Sequence, residues 1–156
     1  FYGGGNDIWN SDDQFRFAYK KIKKDFTFTI KVDSLHNTHQ YAKAGIMIRK
    51  SLNKNSAHGL INIFPSGNTE FGYRTKNGET MKAISGQQID LKDAELKIQK
   101  INNKIEFFVK NSNEWNFIGE LDVSKWGKSF YVGIATLSHD NSRLTKAQYS
   151  KIKLDY

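Results

Sequence analysis

The side chains best equipped for chemistry lie near the middle of the chain. Residues 41–75 read YAKAGIMIRKSLNKNSAHGLINIFPSGNTEFGYRT and carry Arg49, Asn62, Glu70 and Arg74. Guanidinium, amide and carboxylate groups of this kind pair with the hydroxyls of a sugar, while an aromatic ring covers its C–H face. Gln14 and Arg16 are expected to add polar groups from an adjoining strand. Trp9 is expected to supply the ring, with Tyr41, Trp115 and Trp126 as alternatives. Two arginines on one face point to an acidic or fructose-type sugar.

Other chemistries find less support in the spacing. Glycoside hydrolysis needs two carboxyl groups flanking one bond, roughly 5–9.5 Å apart. The nearest pattern, Glu120-Leu121-Asp122-Val123-Ser124, lacks the third acid of a Glu-x-Asp-x-Glu strand. Glu70 stands alone in sequence, and Asp93-x-Glu95 reads as solvated charge. No catalytic residue is expected. Of the four histidines, His36 and His39 have chelate spacing, but sequence places no third ligand beside them. A Gly-x-Ser-x-Gly motif is absent, and Gly3-Gly4-Gly5 lacks the Lys-Ser/Thr of a phosphate loop. Without cysteine there is no thiol catalysis, thiolate metal site or disulfide. Asn6, Asp7, Asp12 and Asp13 place four oxygen donors within eight residues, a candidate structural calcium cage. The competing reading of that stretch is a turn rich in Asx caps. No cofactor is required by any of these patterns.

These residues must be positioned by strands. Ala44 to Lys50, His58 to Phe64 and Thr69 to Arg74 are short apolar runs separated by polar loops, the last following the turn Pro65-Ser66-Gly67-Asn68. Alternation puts Ile46, Ile48, Ile61, Ile63, Phe71 and Tyr73 on one face, expected to be core. Met47, Arg49, Leu60, Asn62, Glu70 and Arg74 fall on the other, expected to be an open platform. Further strands are expected at Gln14 to Lys20, Asp25 to Asp33, Ala94 to Ile101, Lys104 to Lys110, Trp115 to Leu121, Phe130 to Ser138 and Ala147 to Tyr156. Asn102-Asn103 and Asn111-Ser112-Asn113 supply hairpin turns. Asp122 to Trp126 suits a single helical turn. No long 3.6-residue period occurs, so the architecture is all-β, a two-sheet antiparallel sandwich.

At 156 residues the chain is one β-sandwich module, residues 1–156, long enough to bury a core unaided. It opens on Phe1 and reads as a piece of a longer, multi-domain protein. No segment has the roughly 18 consecutive apolar residues of a membrane helix. The net charge of +8 suits anionic partners, but the lysines are scattered. No recognition motif accompanies them, so nucleic acid is not an expected partner.

In order and spacing, GGGNDIWNSDDQFRFAYK, DFTFTIKVDSL, YAKAGIMIRKSL, FGYRT and FYVGIATLSHD resemble the concanavalin A-like (laminin G-like) domains of the DUF1349 type. AKAGIMIRKSL is the most specific piece, and the resemblance spans nearly the whole chain. It departs at Tyr41, where a tryptophan is common, and at Lys54 in the loop from Asn53 to Ala57. The resemblance implies a jelly roll with a concave and a convex sheet, found in secreted or cell-surface bacterial proteins beside linked domains. It implies a non-catalytic, carbohydrate-related role and one further strand ahead of Phe1. The function expected is therefore a carbohydrate-binding module holding a glycan on the concave sheet. A protein-interaction or adhesion module using the basic surface is the alternative, and a glycoside hydrolase a more distant one.

Overall fold

The computed structural model describes all residues from Phe1 to Tyr156. Twelve strands follow in chain order: β1 (Tyr2–Gly3), β2 (Arg16–Ile22), β3 (Phe26–Leu35), β4 (Lys43–Arg49), β5 (His58–Ile63), β6 (Asn68–Arg74), β7 (Lys82–Gln88), β8 (Ala94–Ile101), β9 (Lys104–Asn111), β10 (Glu114–Asp122), β11 (Phe130–Leu137) and β12 (Thr145–Asp155). They form two six-stranded antiparallel sheets, one ordered β1-β12-β3-β8-β9-β10 and the other β2-β11-β4-β5-β6-β7. This is the two-sheet antiparallel sandwich expected from the alternation, with the jelly-roll form that the resemblance implies. No helix is long and apolar enough to cross a membrane.

Between the sheets lies a core of 27 buried residues. Phe26, Phe28, Ile30 and Val32 of β3 face Ile46, Ile48, Ile61, Ile63 and Phe71 of the opposite sheet. Phe71 and Phe107 stack across the gap, their ring centroids 4.3 Å apart. A side-chain period of two leaves no other register, because a one-residue slip would send every isoleucine outward.

Turn chemistry closes the hairpins. Asn111 pairs with Glu114 around Ser112 (φ 51°) and Asn113 (φ 65°), both left-handed, which matches the right-handed twist of β9 and β10. After β10, Val123 to Trp126 is one turn held by Trp126 N–H to the Val123 carbonyl at 2.9 Å, in place of the helical turn.

Two strands, β1 and β7, were not among those expected. β1 is only two residues long, and β7 (KAISGQQ) shows no alternation. β7 is a sheet edge whose residues are almost all exposed, so no buried face imposes a pattern on it.

Candidate functional site

Strand parity places the polar groups of β4, β5 and β6 on one face, as expected. Arg49, His58 and Arg74 lie side by side in register, and so do Gly45, Asn62 and Glu70 two rows along, past Met47, Leu60 and Gly72. That face is not open at its centre. The arm of residues 4–15 folds back across it and inserts Ile8 into a second apolar cluster with Met47, Leu60, Met81, Ala135 and Leu137. Arg49 and Arg74 are thereby left only 2% and 1% exposed.

Both guanidiniums are occupied by the arm and its neighbouring loops. Arg49 Nη1 donates to Asp13 Oδ2 at 2.7 Å, and Arg49 Nη2 to the Asn53 carbonyl at 2.7 Å. Arg74 donates to Asp13 Oδ1 at 2.9 Å and Oδ2 at 3.0 Å. It donates also to the carbonyls of Trp9, Asn10, Ser56 and Glu79. Arg49 and Arg74 therefore fasten the arm, the β4–β5 loop and the β6–β7 loop to the sheet, which corrects the expectation that they line an open platform. His58 is fully buried among them, and desolvation, aided by both arginine charges against the pull of Asp13, drives its imidazole down to about 3.

The remaining expected residues are dispersed. Gln14 is exposed and accepts the Asn6 backbone N–H at 3.4 Å. Arg16 has the opposite parity to Phe15 and Phe17, and its guanidinium lies 5.5 Å over the Phe1 ring. Trp9 is partly exposed on the arm, where its carbonyl serves Arg74.

The four candidate calcium donors do not converge. Asp13 holds the arginines, Asp7 pairs with Lys43, and Asp12 pairs with Lys54 at 2.9 Å, while Asn6 contributes its backbone to Gln14. No group of three or more His, Asp or Glu side chains is arranged to hold a metal ion. His39 stacks on His139, with centroids 4.3 Å apart, and makes no chelate with His36. Glu106 and Glu120 are opposed on β9 and β10, but Lys104 bridges them at 3.1 and 2.7 Å.

One end of the same face stays open. A cleft of about 620 Å³ lies where β5, β6 and β7 meet the loop before β4, walled by Tyr41, Phe64, Glu70, Ser85, Gln40 and Asn37. Local sequence builds it. The Gly67 N–H closes the Pro65 turn on the Phe64 carbonyl at 2.9 Å, and a bulge between Asn68 and Glu70 sets Gly86 and Gln87 against Thr69. Tyr41 projects from its loop, 50% exposed, and meets Phe64 edge to face at 6.0 Å.

Glu70 stands in this wall, and Asn62, opposite it on β5, is fully buried outside the wall. Glu70 Oε1 and both polar atoms of the Asn62 amide are buried without a hydrogen-bond partner. Such groups are rare in folded proteins and mark places where a ligand or water completes the bonding. Burial raises the Glu70 carboxyl above its usual range; Lys43 opposes this and Asp7 adds to it. Lys43 itself is turned to Asp7 and lies 5.6 Å over the Phe64 ring. Asn62 and Glu70 were legible in the sequence through parity, and Tyr41 as an alternative ring. Phe64, Ser85 and Gly86 were not, because the bulged edge of β7 leaves no periodic signature.

No family model and no curated protein matches the chain. Solved structures do. A functionally unknown protein from Saccharomyces cerevisiae superposes with a TM-score of 0.73 at 16% identity, covering 97% of this chain and 83% of that one. The carbohydrate-binding module CBM66 from Bacillus subtilis gives 0.58 at 14%, covering 99% and 92%. The GH43 protein BlXynB from Bacillus licheniformis gives 0.71 at 14%, and there the chain covers 98% of itself but only 32% of the larger protein. At these identities what is shared is architecture, and the chain is a jelly-roll, concanavalin-like sandwich.

Proposed function

We propose that the chain is a non-catalytic carbohydrate-binding module of the DUF1349 type, which holds its glycan in the Tyr41–Phe64–Glu70 cleft. The observation that carries this reading is the pair of cross-strand neighbours Asn62 and Glu70. The Glu70 carboxylate has an unpartnered oxygen in a wall shared with two aromatic rings, and the fully buried Asn62 amide across the strand lacks partners as well. A sugar supplies what such a site is missing: hydroxyls for the carboxylate, and a C–H face for the exposed Tyr41 ring. The likeness in fold to a carbohydrate-binding module supports it. Retirement of both arginines into the Asp13 cluster removes the reason to expect an acidic sugar. A secreted or cell-surface setting, beside covalently linked domains, belongs to the same proposal.

Isothermal titration against a panel of soluble oligosaccharides tests it. At least one neutral or amine-bearing sugar is expected to bind, and Tyr41→Ala to weaken that binding about tenfold, the equivalent of 1.4 kcal/mol. No binding to any sugar, or affinity indifferent to Tyr41, would overturn the proposal. Binding to polyanions alone that vanishes with salt would instead favour the adhesion reading through the basic surface.

A further inference from the structure

We infer, building on the carbohydrate reading of the cleft, that its ligand is a hexosamine unit carrying a free ammonium group. Glu70 is the only charged residue in the cleft wall, on a chain whose net charge is +8. In such a background an anionic wall is the exception, and Glu70 makes no ion pair of its own. Lys43, the cation that acts on Glu70 from β4, beyond β5 in the sheet, makes its ion pair with Asp7 instead. Glu70 Oε1 accepts no hydrogen bond at all.

An ammonium satisfies this arrangement better than a hydroxyl. It donates to the carboxylate with charge assistance, roughly doubling the strength of the bond. It also finds favourable potential at the faces of Tyr41 and Phe64, whose rings meet at 73° across the cleft wall. The Asn37 and Gln40 amides in the same wall offer donors and acceptors for ring hydroxyls. A uronate would bring two carboxylates together with no cation in the wall between them. N-acetylation removes the positive charge that the site selects.

The experiment titrates the intact chain at low salt with four soluble oligosaccharides of equal length: glucosamine, N-acetylglucosamine, glucose and glucuronate. The glucosamine oligomer is expected to bind at least tenfold more tightly than its acetylated form, and the glucuronate oligomer not measurably. Glu70→Gln should bring the amine and acetyl forms to near parity. Ser85→Lys, at an exposed position opposite Glu70 on β7, should abolish amine binding while leaving the fold intact, so the result does not depend on one variant. Raised salt should erode the preference. Equal or tighter binding of glucose or N-acetylglucosamine, still lost in Tyr41→Ala, would overturn the amine inference and leave the cleft as a sugar site. Amine binding indifferent to Glu70→Gln would overturn it as well. Failure of all four oligomers would overturn both readings, as would a lysine-rich peptide binding through Glu70 where they fail.

Discussion

A single carboxylate holds the centre of the polar face. Asp13 accepts from two guanidiniums that are themselves cut off from water, and its partners Arg49 and Arg74 lie 36 and 61 residues away in sequence. Removing one partner from such a cluster leaves buried charge uncompensated, which costs about 3–5 kcal/mol. Asp13→Asn is expected to lower stability by that amount in urea denaturation with little change in shape at low denaturant. Lys at position 49 would be a poor substitute, since an ammonium cannot reach a carboxylate and two loop carbonyls as a fork. Arginines at outward strand positions usually read as exposed. Nothing local to Arg49 or Arg74 announces that Asp13 will arrive above them.

At the scale of elements, the arm converts an outer sheet face into a second small core. Met47 and Leu60 hinted at this, being apolar on the face assigned to ligand. A free platform would have no use for them, whereas Ile8 needs them. The sheet beneath is also shaped by glycine. At Gly133, in the middle of β11, a Cβ would run into the Ala18 carbonyl and Tyr19 backbone of β2. Gly133→Ala should therefore loosen the pairing of edge strand β2, at about 1–3 kcal/mol of strain. Calorimetry is expected to record a Tm several degrees lower, and hydrogen exchange to speed up first in β2. An unchanged Tm would show that β2 shifts without cost.

Across the whole molecule, buried imidazole gives folding a pH dependence. The folded-state value of His58 is depressed to about 3, below its unfolded value of 6.5, so the unfolded chain takes up a proton first. Stability from this source is fully present above pH 6.5 and is lost as pH falls from 6.5 towards 3, at up to about 1.4 kcal/mol per unit. His139 is depressed in the same sense by its own burial. Depressed acids such as Asp140, held near 2 by Ser142 and Arg143, act only below about pH 4. Urea titrations between pH 6.5 and 4.5 should show the decline, and His58→Gln should flatten it. A wild-type profile flat across that range would contradict a neutral buried His58.

Sequence alone settled the class of fold, most strand positions and which side chains share a face, because a period of two and turn residues such as Asn111-Ser112-Asn113 act locally. It also put Asn62 and Glu70 on one face, since parity follows from the same alternation. Only the tertiary structure decided which polar groups meet solvent. Exposure depends on what else packs against a face, and here the arm carrying Ile8 and Asp13 covers the arginines yet stops short of Glu70. Charge pairing over dozens of residues and a bulge on an unpatterned edge strand leave no trace in local spacing, so the working end of the face became visible only once the chain was folded.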